Sequence, residues 1–269
     1  MTVKVLVPIS GGKDSQACLK LALQRYPPEQ VRGLFCDTQF EHPLTYRHVE
    51  NLRNLYGPIQ IDTVCAGSVE EKSLKYGRFP GGGARHCTDE LKIQPTKRYC
   101  KALAEYQGSR IAVKKRKITG SSEGGFEVWY GMRSGESAER KARYVGKVCD
   151  ELYAPHEVLP SKYPKYLAKL GVSFRLCVLD WSEQDVIDFV GLDDLNPLYR
   201  DGFPRVGCFP CLASGDKWKE KAFQHDPFGE SQHAKVIHIA NQIGKSVWTS
   251  KGGQERNEDS TVCALTCGA

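Results

Sequence analysis

Val3-Lys4-Val5-Leu6-Val7-Pro8-Ile9-Ser10-Gly11-Gly12-Lys13-Asp14-Ser15-Gln16-Ala17-Cys18 is the stretch whose reading decides the fold. Residues 3–7 alternate and give way to Pro8-Ile9-Ser10-Gly11-Gly12, which predicts a buried strand running into a tight turn. From Asp14 onward Ala17, Cys18, Leu21, Ala22 and Leu23 fall at helical spacing until Pro27-Pro28 closes the segment. A glycine turn between strand and helix has a definite chemical capacity. Glycines let backbone approach a ligand closely, and the first amides of a helix lack internal partners and so attract an anion. Ser10 and Ser15 add hydroxyl donors, Lys13 a countercharge, and Asp14 a helix cap or a carboxylate on the magnesium side of a nucleotide. A glycine turn with a capped helix and no ligand is the plain alternative. The spacing is not that of a Walker A loop.

Outward from this stretch, residues 31–36 form a second apolar run ending in Asp37-Thr38. Residues 46–55 have helical periodicity and residues 59–64 supply a third strand. Alternating strand and helix implies right-handed crossovers and an α/β fold, a parallel sheet covered on both faces, with ligands at the carboxyl ends of the strands. Gly81-Gly82-Gly83 marks a connection, residues 89–106 read as the next helix with a kink expected at Pro95, and residues 111–113 and 126–130 read as strands flanking a basic, glycine-containing hairpin. Residues 246–260, rich in Lys, Gly, Gln, Glu and Asp, read as irregular, and no internal repeat is present.

A chain of 269 residues, 40% hydrophobic and 26% charged, is able to bury a full core, as one large domain or one with an appendage. No run approaches the roughly 20 apolar residues of a membrane span, and the first residues lack the features of a signal peptide, so the expected address is the cytoplasm, with no membrane partner. A formal charge of +6 favours a polyanionic partner, for which nucleotide, RNA and DNA qualify equally.

Ser10-Gly11-Gly12-Lys13-Asp14-Ser15 resembles the Ser-Gly-Gly-x-Asp-Ser signature of the PP-loop (N-type ATP pyrophosphatase) superfamily. Residues 35–46, Phe-Cys-Asp-Thr-Gln-Phe-Glu-His-Pro-Leu-Thr-Tyr, resemble the segment after the second strand of phosphoadenosine phosphosulfate reductases, and residues 85–95 are similar to their Cys-Cys-x-x-Arg-Lys-x-x-Pro region. Gly131-Met132-Arg133-Ser134-Gly135-Glu136-Ser137 with Arg140 resembles a pattern shared by reductase-like proteins and DNA phosphorothioation sulfurtransferases, and residues 179–186 resemble their later Asp-Trp-x-x-x-Asp-Val stretch. The motifs occur in family order from residue 3 to about residue 211. The resemblance implies a doubly wound, mostly parallel sheet of the adenine nucleotide alpha hydrolase-like kind over residues 1–205, with residues 206–269 as a cysteine-containing metal- or cluster-binding extension packed on it. It also implies a nucleotide site of Ser10, Gly11, Gly12, Lys13, Asp14, Ser15, Asp37, Gly131, Arg133 and Arg140, with Lys13, Asp14 and Arg133 closest to the chemistry. The residue types agree: a carboxylate at a strand end bonds ribose or adenine edges, and arginine forks pair with phosphate or sulfate. Each arginine alone reads equally well as a surface ion pair.

Eleven cysteines in a chain of this kind do not read as a disulfide framework. Cys18, Cys36, Cys65 and Cys177 lie in apolar segments and are expected to pack as buried thiols, while Cys100 and Cys149 receive no role. Cys208-Phe209-Pro210-Cys211 puts two thiols one short turn apart, Cys263 and Cys267 form a second close pair, and Cys87 lies where adenylyl-sulfate reductases resemble this chain with a cluster-binding Cys-Cys pair. Here His86 takes the first position of that pair. The expectation is a [4Fe-4S] cluster on Cys87, Cys208, Cys211 and one of Cys263 and Cys267. The alternatives are structural Zn2+ on Cys208, Cys211, Cys263 and Cys267, and a metal-free thiol pair.

Reductases of this group attack sulfate with a cysteine in a Glu-Cys-Gly-x-His segment, whereas Thr266-Cys267-Gly268-Ala269 lacks that glutamate and histidine; their phosphate loops are degraded, whereas this one is intact. The resemblance therefore implies an enzyme that uses ATP with Mg2+ to adenylate an acceptor and then transfers sulfur with help from the cluster. DNA or tRNA is the implied acceptor, a cysteine desulfurase or other donor the implied sulfur source, and a homo-oligomer is left open. The basic run at residues 110–117 suits a phosphate backbone or a solvated hairpin equally. Two alternatives stand beside this: reduction of adenylyl sulfate (APS) or phosphoadenylyl sulfate (PAPS) with Cys263 or Cys267 as nucleophile, and a non-catalytic nucleotide- or DNA-binding module.

Overall fold

The computed structural model describes residues 2–81, 85–114 and 117–248. In chain order the strands are β1 (Val5–Ile9), β2 (Val31–Asp37), β3 (Gln60–Cys65), β4 (Arg110–Lys114), β5 (Lys117–Ser121), β6 (Glu127–Trp129), β7 (Leu152–Tyr153) and β8 (Ser173–Arg175). The helices are α1 (Lys13–Arg25), α2 (Pro43–Tyr56), α3 (Val69–Tyr76), α4 (His86–Thr88), α5 (Gln94–Tyr106), α6 (Ala138–Arg143), α7 (Pro155–Val158), α8 (Tyr166–Lys169), α9 (Glu183–Val190), α10 (Asp216–Phe223) and α11 (Pro227–Ile243). Six strands make one sheet in the order β3-β2-β1-β6-β8-β7, parallel throughout except for β7.

The alternation in the first strand sorts its side chains onto the two faces. Val5, Val7 and Ile9 meet Ala17, Cys18 and Leu21 of α1 and Val186 and Val190 of α9. Leu6 enters the opposite layer with Leu34, Cys100 and Leu103 of α5, Leu167 of α8 and Phe174. Burial on both faces explains why β1 and β2 are nearly continuous runs of apolar residues, as a covered parallel sheet requires. Each fully buried leucine contributes about 1.5–3 kcal/mol. A third cluster holds Phe40 after β2, Val69 of α3, Leu91, Leu212, Phe223 of α10 and Val236 of α11, so the elements beyond residue 206 pack against the first half of the chain.

Three local readings differ from the sequence expectation. The segment 89–106 opens with a π turn, Asp89–Ile93, in a run that stays helical from His86 to Tyr106, and Pro95 follows directly on that turn, where the helical ladder is already irregular. Residues 111–113 do not flank a hairpin but are one arm of it, because β4 pairs antiparallel with β5 in a ribbon of its own while β6 alone enters the main sheet. Cys65 is exposed at the end of β3, whereas Cys18, Cys36 and Cys177 are buried as expected. Among the described residues no helix is long and apolar enough to cross a membrane.

His48 ties α2 to α1. Its Nε2 donates to Gln16 Oε1 at 3.0 Å, and Gln16 Nε2 donates in turn to Tyr56 OH and to the Asp194 carbonyl. Burial lowers the His48 pKa to about 4, against about 6.5 for an unfolded chain. The unfolded state therefore binds the extra proton first, so the stabilisation is complete above the unfolded pKa and is lost as pH falls toward the folded one. Denaturant titrations at pH 7 and pH 5 should show the protein losing up to about 2 kcal/mol from this group, and His48→Gln should flatten that part of the profile.

Candidate active site

Two loops meet at the carboxyl end of the sheet, where β2 lies on one side of β1 and β6 on the other. Such a reversal of strand order opens a crevice. The loop after β1 is Ser10-Gly11-Gly12, and Lys13 begins α1. Gly11 has φ +75°, and a Cβ there would stand 2.5 Å from Thr45 Cγ2, so only glycine fits. The turn is partly self-satisfied. Ser10 N donates to Ser15 Oγ at 3.2 Å, Gly12 N to Ser10 Oγ at 3.3 Å and Lys13 N to Tyr199 OH at 2.9 Å, while Ser15 Oγ donates to the Gly12 carbonyl at 2.8 Å. Among the described residues the amides of Gly11, Asp14 and Ser15 bond no protein acceptor.

Lys13, expected to supply countercharge, is paired within the protein. Its side chain is 3% exposed, its ammonium lies 2.8 Å from Glu183 Oε1, and it donates to the Pro204 carbonyl at 3.0 Å. The hydrogen bond from Lys13 holds the Glu183 carboxyl below the usual carboxylate range. Gly11, Gly12, Lys13 and Ser15 are buried, and only Ser10 and Asp14 are half-buried. Two surface cavities, of about 430 and 540 Å³, lie elsewhere: one beside Lys217, Lys221 and His225, the other between Arg47, Asn51, Asn54 and Arg200.

The second loop follows β6. A Cβ on Gly131 would lie 2.6 Å from the Asp14 carbonyl carbon and 2.8 Å from Ser15 N, so this loop is pressed onto the first turn of α1. Two residues on, the Arg133 side chain, 8% exposed, donates from Nε to Asp14 Oδ1 at 2.5 Å. Among the described residues its terminal nitrogens bond no protein group. Arg140 of α6 pairs with Glu136, and Arg205 reaches the same carboxylate at 3.4 Å. Burial, and then the neighbouring Arg205, lower the proton affinity of Arg140, as expected where two cations share one carboxylate. Gly131→Ala should weaken adenine-nucleotide binding about tenfold or more by pushing the loops apart. Gly135→Ala, whose Cβ meets nothing within 4 Å, should leave titration calorimetry unchanged.

At the end of β2, Asp37 Oδ1 accepts from Tyr46 OH at 2.7 Å and from Gln39 N at 2.8 Å, so one carboxylate oxygen is engaged within the protein. Glu41 is buried and accepts from Thr38 N, Thr38 Oγ1 and Phe40 N. A bridge between Glu41 and Cys208, with Phe209 N donating to the Phe40 carbonyl at 2.6 Å, holds the Cys208–Cys211 segment against this loop. Thr38 Oγ1 lies 3.3 Å from Cys208 Sγ. Cys87, Cys208 and Cys211 come near enough for Cys211 to act electrostatically on the other two. Burial pushes the Cys208 thiol up to about 12, with Lys92 opposing. Lys92 is held as a cation chiefly by Cys208, against burial, and then by Glu41, Cys87 and Cys211.

All three thiols act on Lys92, but among the described residues their Sγ atoms do not gather within 4.8 Å of one another, so the arrangement is not a preformed metal site. Cys263 and Cys267 lie outside the described residues. Cys100 is fully buried and Cys149 donates to the Cys177 carbonyl. Among the described residues the ligand-type group packed within 4.8 Å is instead His42, His225 and Asp226. It is a poor metal site. His42 Nδ1 accepts the Leu44 amide, so the ring proton sits on Nε2 and is donated to Asp226 Oδ2 at 2.9 Å, which leaves no lone pair for a cation. Lys92, Glu41, Tyr199 and Glu183 were not singled out in the sequence. Tyr199 and Glu183 meet Lys13 only through the fold, across 186 and 170 positions, and Lys92 meets Cys208 and Cys211 likewise, whereas Glu41 bonds its near neighbours Thr38 and Phe40; the π turn that carries Lys92 is a local mark.

The sequence model of the phosphoadenosine phosphosulfate reductase domain matches residues 4–214. An uncharacterized 37.8 kDa protein of Escherichia phage 186 is 25% identical over 77% of this chain and 66% of its own length. An uncharacterized protein of Methanocaldococcus jannaschii is 26% identical over 78% of this chain but only 36% of its own length, so the chain spans less than two thirds of both relatives. An adenosine 5'-phosphosulfate reductase of Staphylococcus haemolyticus is 23% identical over 78% of this chain and 70% of that protein. A crystal structure of phosphoadenylyl-sulfate reductase from Candida auris, a phosphate complex, aligns over 77% of this chain and 82% of that one with a TM-score of 0.45 and 17% identity. Since the domain match runs through both loops of the crevice and all three clustered thiols, the chain belongs to the phosphoadenosine phosphosulfate reductase domain family.

Proposed function

We propose that the chain uses ATP to adenylate an acceptor and then serves sulfur transfer to it. The observation that carries this reading is the complete Ser10-Gly11-Gly12-Lys13-Asp14-Ser15 loop at the end of β1, with Arg133 drawn onto Asp14 across the crevice. The amides of Gly11, Asp14 and Ser15 receive the β- and γ-phosphates, as helix N-termini do. Asp14 would hold Mg2+, which would supply countercharge to the phosphates, and the Arg133 guanidinium, now paired with Asp14, pairs with phosphate oxygen. Lys13 exchanges Glu183 for the polyphosphate, which is the step that uncovers the turn. The free oxygen of Asp37 takes the ribose or adenine edge, and Gly131, Arg140 and Arg205 line the path of the leaving group.

An acceptor oxygen then forms a bond to the α-phosphorus, the bond from that phosphorus to the bridging oxygen of pyrophosphate breaks, and pyrophosphate departs. Sulfur at the sulfide level then bonds to the acceptor atom that carries the adenylated oxygen, the bond from that atom to this oxygen breaks, and AMP departs with it. A [4Fe-4S] cluster on Cys87, Cys208 and Cys211 would supply a place to hold sulfur next to the crevice; Zn2+ there would serve structure alone. DNA or tRNA as acceptor follows from the resemblance to phosphorothioation sulfurtransferases, with sulfur from a cysteine desulfurase or another donor, and a formal charge of +6 is compatible with it. The named activity of the Staphylococcus relative supports a second reading, reduction of APS or PAPS.

One paired assay separates the two. Pyrophosphate release from ATP in the presence of DNA or tRNA supports adenylation, whereas sulfite release from APS or PAPS with no turnover of ATP replaces it with reduction. Within the adenylation reading, Glu183→Gln should tighten ATP binding about threefold, the size of an exposed ion pair that no longer competes. Arg133→Ala should weaken binding about tenfold or more, read by calorimetry with and without Mg2+.

A further inference from the structure

Cys18 on α1 and Cys177, just after β8, are remote in sequence, yet their Sγ atoms lie 3.2 Å apart. Both are enclosed: Cys18 is 0% exposed and Cys177 3%. A disulfide needs its sulfurs about 2 Å apart, so two thiols already in contact have little more than an ångström to close. A third thiol stands beside the pair. Cys149 Sγ donates to the Cys177 carbonyl at 3.6 Å and acts electrostatically on Cys18. Unlike the pair, Cys149 is only half-buried and so open to a reactant. Burial, and then the Cys177 partner, hold the Cys18 thiol protonated, which disfavours its attack on an outside disulfide and leaves Cys149 as the point of entry.

The pair also bridges two parts of the candidate site. Cys18 lies one helical turn beyond Asp14 on α1. Cys177 stands in the segment whose Leu179 carbonyl accepts Ser134 N from the loop after β6. That segment runs into α9, which begins with Glu183, the partner of Lys13. We infer that Cys18 and Cys177 form a reversible disulfide, entered through Cys149 from a small disulfide such as oxidised glutathione, that latches α1 to the segment leading into α9. The Cys149 thiolate bonds to one sulfur of the reagent, whose S–S bond breaks, and the other half leaves and takes up a proton as a thiol. Cys177 Sγ then bonds to Cys149 Sγ and expels the second reagent thiol. Cys18 Sγ finally bonds to Cys177 Sγ, and Cys149 departs as a thiol. In sum the protein pair loses two electrons and two protons, and the reagent gains them as two thiols. In the adenylation reading, on which this consequence rests, the link holds Lys13 and Glu183 together and keeps the turn covered.

The experiment treats the full chain with oxidised glutathione, alkylates the remaining thiols and maps linked peptides by mass spectrometry. The expected product joins Cys18 to Cys177, is reversed by dithiothreitol and raises Tm by about 5 °C or more. Cys18→Ala and Cys177→Ala, checked for folding by circular dichroism, should lose both the link and the rise in Tm. Cys149→Ala should form the same link about tenfold more slowly. In the linked protein, ATP binding followed by calorimetry should weaken about fivefold or more. Free Cys18 and Cys177 in the oxidised, folded wild-type chain overturn the disulfide, and an unchanged rate in Cys149→Ala overturns the entry route. A link without a rise in Tm, or with ATP bound as tightly as in the reduced chain, overturns the latch. A reduced chain that binds no ATP overturns the adenylation reading instead, while the mapped link and Tm still decide the latch.

Discussion

The close approach of Gly131 to the first turn of α1 is the constraint on which the candidate site depends. A parallel sheet that reverses direction at β1 leaves a gap between the loops after β1 and β6. Here the gap is closed backbone to backbone, with no room for a side chain at Gly131. That contact sets Arg133 within reach of Asp14. Within the turn the amides of Ser10, Gly12 and Lys13 are engaged by Ser15, Ser10 and Tyr199, while those of Gly11, Asp14 and Ser15 have no protein acceptor among the described residues.

The charges around the turn are arranged in mutually satisfied pairs. Lys13 is matched by Glu183, Arg133 by Asp14, and Arg140 with Arg205 by Glu136. In the proposed reading a polyphosphate with its countercharge offers each partner a replacement of the right sign, so binding would proceed by exchange of pairs rather than by filling an open cavity. Coulomb energy between such groups is large only where water is excluded, and the near-complete burial of Lys13 and Arg133 supplies that condition. The thiols sit on the neighbouring strand end, anchored through Glu41 and Thr38 to the loop that follows β2. The turn after β1 and the Cys208–Cys211 segment thus share the carboxyl end of the sheet.

The regular half of the fold was readable from the chain because β1, α1, β2, α2 and β3 carry strong alternation or helical spacing between clear turn signals. The far half was not. β7 and β8 are two and three residues long, too short for periodicity to register. Cys65 looked like core because its strand is apolar, yet β3 is an edge strand and its last residue emerges at the rim. Of the site, the loop residues and the two arginines were legible as motifs. Their occupancy was not, since Glu183, Tyr199 and Pro204 reach Lys13 across more than 160 positions of sequence.

The central claim is that the turn after β1 receives the phosphates of an adenine nucleotide despite its cover. Amide resonances followed by nuclear magnetic resonance while ATP and Mg2+ are added address it residue by residue. The account predicts the largest shifts at Gly11, Asp14 and Ser15, with a change at Glu183 as Lys13 lets it go. Shifts confined to the groove of Arg47, Asn51, Asn54 and Arg200, with the turn unmoved, would contradict it.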